Sequence, residues 1–235
     1  MRSRRASIAR TMAQRNYWVD GLSGTGKSAV YDELLRRGFM AISTDRAWSH
    51  PVTRMWDERR AVAELESDEP DVLFVCGGCK DRDRFLPYFT KVFYLRIDDA
   101  TMQARLGRRT EADWSLGPEG VELTLALNRS DETPAGAIAI DATQPLPQVV
   151  DELLRVAGCP PEGSWFPAWR DLLPTVARYL EERGIPITAR LDPSAFDPAE
   201  LRRYYEELHG EGARGVGYAM VDGIAYFRDS SQRDT

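Results

Sequence analysis

Eight residues near the amino terminus have the types and spacing to do chemistry on a phosphate. Gly21-Leu22-Ser23-Gly24-Thr25-Gly26-Lys27-Ser28 fits G-x-x-x-x-G-K-[ST]. Glycines let the backbone turn tightly enough for several N–H groups to face one anion. The lysine reaches the β- and γ-phosphates, and the serine hydroxyl suits Mg²⁺. Only three lysines occur in the chain, Lys27, Lys80 and Lys91, among 31 basic residues. The rest are arginine, yet this position holds lysine.

Other candidates follow at intervals. Ser43-Thr44-Asp45 closes a short apolar run. There Asp45 could orient or deprotonate an acceptor hydroxyl, or hold Mg²⁺ through water, or merely cap a turn. Val75-Cys76-Gly77-Gly78 closes another run. Gly77 and Gly78 either let an acceptor approach the backbone or make a plain turn. Arg82 and Arg84 come next and could meet an anionic acceptor. Arg105 and Arg109 are four apart on one helical face, where both could meet one anion; Arg108 is less favoured. Trp48, His50 and Trp56 suit either an acceptor wall or aromatic packing. Each arginine has the plainer alternative of a solvated surface.

These residues need elements to position them. Tyr17–Val19, Phe39–Ser43, Val72–Cys76, Val92–Ile97 and Ala137–Ile140 read as strands. Helices are predicted over Ser28–Arg37 with Gly38 as its stop, Asp98 to about Arg108, Pro118 to about Asn128, and Pro145–Val156. Strands alternating with helices give βαβ units, hence an α/β fold with a five-stranded parallel sheet and helices on both faces. The pattern changes at Gly158-Cys159-Pro160-Pro161. Beyond it come a helix over 172–183, an edge strand over Ile185–Leu191, a helix from Asp197-Pro198 to Gly210, and a hairpin turning at Asp222-Gly223. The expected organisation is a basic tail over 1–16, an α/β domain over 17–158 and a small α+β module over 159–235.

In order and spacing, residues 17–158 resemble the adenylate-kinase-like branch of P-loop proteins, near shikimate and gluconate kinases and bacterial chains labelled AAA family ATPase. The loop carries this resemblance, with Ser43-Thr44-Asp45, Val75-Cys76-Gly77-Gly78, Arg105-Leu106-Gly107-Arg108-Arg109 and Ile140-Asp141-Ala142-Thr143. It implies a P-loop kinase fold, ATP and Mg²⁺ as cofactors, and phosphoryl transfer to a small-molecule acceptor. It also implies lid roles for Arg105 and Arg109, and the adenine beside Asp141–Pro145. One departure stands out: the third strand ends without an acid, and Asp71 lies at its wrong end. Mg²⁺ is then left to Ser28, phosphate oxygens, water and Asp45.

Composition narrows the rest. With 37 acidic residues and a formal charge of -6, the chain is a poor nucleic-acid coat. No apolar run reaches the roughly 18 residues of a membrane span. Cys76, Cys79 and Cys159 form no disulfide framework, and Cys76-x-x-Cys79 lacks companions at zinc spacing, with His50 and His209 far off. Reduced thiols fit a cytoplasmic protein. A homodimer is left open. Two other functions compete with small-molecule phosphorylation: an ATP-binding regulatory switch, and a toxin-like kinase of a nucleotide sugar.

Overall fold

In the computed structural model, residues 15–50, 53–67, 70–108, 118–130, 133–167, 174–185, 197–209, 216–221 and 224–229 are described. The first sheet has five strands: β1 (Arg15–Gly21), β2 (Met40–Ser43), β3 (Val72–Cys76), β4 (Lys91–Arg96) and β5 (Ala137–Asp141). Their order is β2-β3-β1-β4-β5 and every pair is parallel. The strands read as continuous apolar runs because both faces are covered. β1 starts at Arg15, whose N–H donates to Asp71 O at 2.8 Å, so the first two strand residues fall inside the stretch read as tail.

One face packs on α1 (Lys27–Arg36), α4 (Asp99–Gly107) and α6 (Leu146–Ala157), around Tyr17, Val19, Leu34, Phe74, Met102 and Leu153. Asp98 caps α4 by accepting from Thr101 N at 2.6 Å, and Gly158 ends α6 with φ of 70°. The other face buries Trp18, Trp48, Trp56, Phe85 and Val92. Two short helices, α2 (Thr44–Ala47) and α3 (Glu58–Leu65), serve this face, and α5 (Pro118–Arg129) precedes β5. The sequence reading missed α3, an eight-residue helix whose four charged residues leave only a thin apolar stripe of Ala61 and Leu65.

Beyond residue 159 a second sheet has three antiparallel strands: β6 (Trp165–Pro167), β7 (Val216–Val221) and β8 (Ile224–Asp229), ordered β6-β8-β7. Helices α7 (Pro174–Glu182) and α8 (Pro198–His209) belong to the same stretch. β6 was not foreseen, being three residues long with a proline. The expected strand over 185–191 lies outside the described residues after Ile185, as does the Asp222-Gly223 turn. Trp165 and Tyr226 are buried in the same cluster as Trp18 and Trp56.

Candidate functional site

The site is built at the carboxyl ends of the parallel strands, where open α/β sheets bind ligands. β1 ends at Gly21 and α1 begins at Lys27, so the glycine motif is the whole turn between them. Gly24 and Gly26 have φ of 92° and 105°, conformations a side chain rarely adopts. A Cβ on Gly21 would lie 2.7 Å from Thr25 Oγ1 and 3.0 Å from Leu95 O. The buried Thr25 hydroxyl donates to Leu22 O at 2.9 Å and pins the turn. Lys27 Nζ folds back over it, donating to Gly21 O at 2.6 Å and Leu22 O at 3.0 Å. Ser28 is exposed in the first turn of α1, whose positive end faces the loop.

Behind the loop, Arg105 of α4 donates from Nη1 to Thr25 O at 3.1 Å and from Nη2 to Ala142 O at 2.8 Å. It ties the phosphate loop to the turn after β5. That turn is folded by Asp141, which accepts from Thr143 N at 2.9 Å, Thr143 Oγ1 at 2.6 Å and Gln144 Nε2 at 3.1 Å. These bonds, those from Thr143 first, hold the Asp141 carboxyl below its usual range. An open cleft beside it is lined by Arg96, Ile97, Asp98, Thr133, Ala139, Asp141 and Thr143. Arg109 lies outside the described residues.

On the acceptor side, Asp45 is in the first turn of α2, exposed, and paired with Arg54 Nη2. Arg84 pairs with Glu58 of α3, both half exposed. The expected helix start at Arg82 and Arg84 is a single 3-10 turn. Gly77 is required by packing: with φ of 143°, a Cβ there would lie 1.9 Å from Thr44 Oγ1. The Thr44 hydroxyl is fully buried and meets no hydrogen-bond partner among the described residues. At Gly78 a Cβ would make ordinary contact, 3.6 Å from Asp20 Oδ1. Trp18 and Trp56 donate their indole N–H groups to Gly77 O at 2.7 Å and Gly78 O at 3.1 Å. Both tryptophans are therefore core with a polar tip on the glycine turn.

Asp20, the last residue before the motif, was passed over in the sequence. It is 7% exposed and joins Gly21 N to Arg82. An aspartate next to Gly21 in a buried strand end was the signal available. Cys79 donates its thiol to Asp81 Oδ1 at 2.9 Å and is pushed up to about 12, chiefly by burial; burial also raises Cys76. Neither is a ready thiolate. Among the described residues no three His, Cys, Asp or Glu side chains come together as a metal site. Mg²⁺ asks for less, since it keeps waters and takes phosphate oxygens with one or two protein oxygens. The Ser28 hydroxyl and the Asp45 carboxylate are hard donors of the right kind.

No protein-family model matches the chain, and no curated protein matches it in sequence. Among solved structures, it is similar to a sugar kinase from Janibacter sp. HTCC2649, at 18% identity and TM-score 0.44, over 63% of this chain and 96% of that one. A gluconokinase from Sinorhizobium meliloti 1021 matches at 21% identity and TM-score 0.43, over 62% and 92%. A deoxyadenosine kinase from M. mycoides with bound dATP matches at 13% identity and TM-score 0.41, over 61% and 99%.

Proposed function

We propose that this chain is an ATP-dependent kinase that transfers a phosphoryl group to a hydroxyl or phosphate of a small molecule, a metabolite, nucleoside or nucleotide. One observation carries the reading. The glycine motif is the complete turn between a central parallel strand and a helix, with Lys27 folded over its carbonyls. Those two bonds are the ones an arriving triphosphate would replace. The loop amides and the α1 terminus would take the β-phosphate, and Lys27 would neutralise charge on the transferred group, where catalysis of this reaction is mostly electrostatic. Arg105 holds the loop against the turn after β5, where the adenine would rest by Asp141–Thr143. Arg105 and Arg109 are the cations proposed for the phosphoryl group in transit.

Mg²⁺, held through Ser28 and Asp45, would supply charge neutralisation on the phosphates. Asp45 is the residue proposed to accept the acceptor's proton, once Arg54 gives way to substrate. Gly77, Gly78, Arg82 and Arg84 would border the acceptor. The chain is incubated with Mg-ATP and a metabolite extract, and products are sought by mass spectrometry as compounds gaining one phosphoryl mass. Tight nucleotide binding with no phosphorylated product from any fraction would favour a regulatory switch instead.

A further inference from the structure

The phosphate loop opens on a buried negative charge that binding ATP does not by itself require. Asp20 is the next-to-last residue of β1, on the Trp18 face of the sheet and 7% exposed. Its Oδ1 accepts from Gly21 N at 2.7 Å, and its Oδ2 accepts from Arg82 Nη1 at 2.8 Å. A carboxylate out of water is costly, and one beside a phosphate site also repels the ligand. Burial pushes the Asp20 carboxyl up, against the opposing pull of Gly21 N–H, Lys27 and Arg82. Satisfying one amide N–H needs only a neutral oxygen, such as that of asparagine. What the charge adds is a hold on Arg82.

Arg82 is held on two sides. One N–H goes to Asp20, and its guanidinium carbon lies 5.2 Å from the centroid of the buried Trp18 ring. Trp18 is itself fixed by its bond to Gly77 O and by rings of Trp56 and Phe89 at 4.8 and 5.1 Å. Among the described residues no protein acceptor takes the Arg82 Nε–H or Nη2–H. Those groups form the edge that grips a carboxylate or phosphate bidentately. The side chain is 22% exposed, against about half for Arg54 and Arg84, whose pairs with Asp45 and Glu58 are surface pairs. Arg82 alone of the three is both oriented by buried groups and unspent on its fork.

We propose that Arg82 is an oxyanion-binding residue on the acceptor side of the phosphate loop, and that Asp20 is the positioning residue that holds it there. The oxyanion is a carboxylate or phosphate of the acceptor, or the phosphoryl group in transit. This choice of ligand rests on the phosphoryl-transfer reading; the binding itself does not.

Inorganic phosphate is the probe, titrated calorimetrically into the full-length chain in two states. One is loaded with Mg-ADP, the other with Mg²⁺ and a non-hydrolysable ATP analogue that fills the γ position. Arg82→Ala is expected to weaken phosphate binding by at least about 10-fold. Loss in the analogue-loaded chain assigns the fork to the acceptor's anion, and loss only in the ADP-loaded chain assigns it to the transferred group. Arg82→Lys, which keeps charge without the fork, should not restore binding. Asp20→Asn retains an oxygen for Gly21 N–H. It should weaken phosphate binding by about 5-fold, leave Mg-ADP affinity unchanged or tighter, and lower no melting temperature. Phosphate binding that is absent from the wild type, or unchanged by Arg82→Ala and Asp20→Asn, overturns the proposal. So does an Asp20→Asn chain that loses Mg-ADP affinity and thermal stability together, which is the behaviour of a structural residue. A wild-type chain that binds no nucleotide yet shows Arg82-dependent phosphate binding overturns the kinase reading and leaves the fork standing.

Discussion

Lys27 and Asp45 occupy different parts of the site and should fail differently. Lys27 lies against the loop carbonyls of Gly21 and Leu22, so its loss removes charge from where phosphates bind. Lys27→Ala is expected to weaken Mg-ATP binding and to cut turnover by about 10²–10³-fold. Asp45 is exposed, in the first turn of α2, and tied to Arg54. Asp45→Asn should keep the fold and most nucleotide affinity while losing about 10²–10⁴-fold in turnover, as expected of a general base. Calorimetry with Mg-ATP beside transfer rates reads both terms, and near-normal turnover in Asp45→Asn would reduce Asp45 to a turn residue. The motif's place in a tight strand-to-helix turn was legible in sequence, because its glycines call for such a turn. Asp20 and the buried Thr44 hydroxyl were not, since their meaning lies in contacts with Arg82 and Gly77, residues 33 to 62 positions away.

Elements were read well where both sheet faces are covered, as at β3, whose bounds are those of the VLFVC run. Short elements that exist only by docking, α3 and β6, carry no such signature. One tertiary joint between elements is testable by pH. Glu33 of α1 accepts from Arg36 at 2.6 Å twice and from Arg37 at 2.8 Å, and Arg37 donates onward to Asp151 of α6 at 2.5 Å. These bonds, Arg36's first, hold Glu33 down at about 2 from an ordinary 4.5. A lowered carboxylate stabilises the fold above its unfolded value, and that contribution is lost as pH falls from about 4.5 toward 2. Glu33→Gln is expected to cost on the order of 2 kcal/mol at pH 7 by urea unfolding. The gap between variant and wild type should narrow steadily below pH 4.5; a constant gap would mean packing, not charge, is what the variant lost.

At the scale of the whole chain, composition changes at Gly158–Pro161, and what lies beyond was read as an accessory module. The contacts give that segment a share in the core. Gly163 N donates to Arg37 O at 2.8 Å and Trp165 N to Gly38 O at 2.7 Å, across the turn between α1 and β2. The approach is so close that a Cβ on Gly163 would sit 2.2 Å from Gly38 O. Trp165 and Tyr226, 4% and 2% exposed, complete the apolar cluster around Trp18, Trp56 and Phe85. Removing a buried tryptophan alone costs about 3–5 kcal/mol, against total stabilities of about 5–15 kcal/mol. A fragment ending at Cys159 is therefore expected to fold but to melt roughly 6–20 °C below the full chain. Its Mg-ATP affinity should be retained, because Lys27 bonds to Gly21 and Leu22 and Arg105 to Thr25 and Ala142, all of which the fragment keeps. Calorimetric melting of the fragment with and without Mg-ATP checks both statements. A fragment as stable as the full chain makes 160–235 an independent appendage, and one that is unfolded makes it part of a single domain. The intermediate result, a weakened fold that nucleotide restores, is the one that two aromatic anchors on an otherwise complete α/β sheet predict.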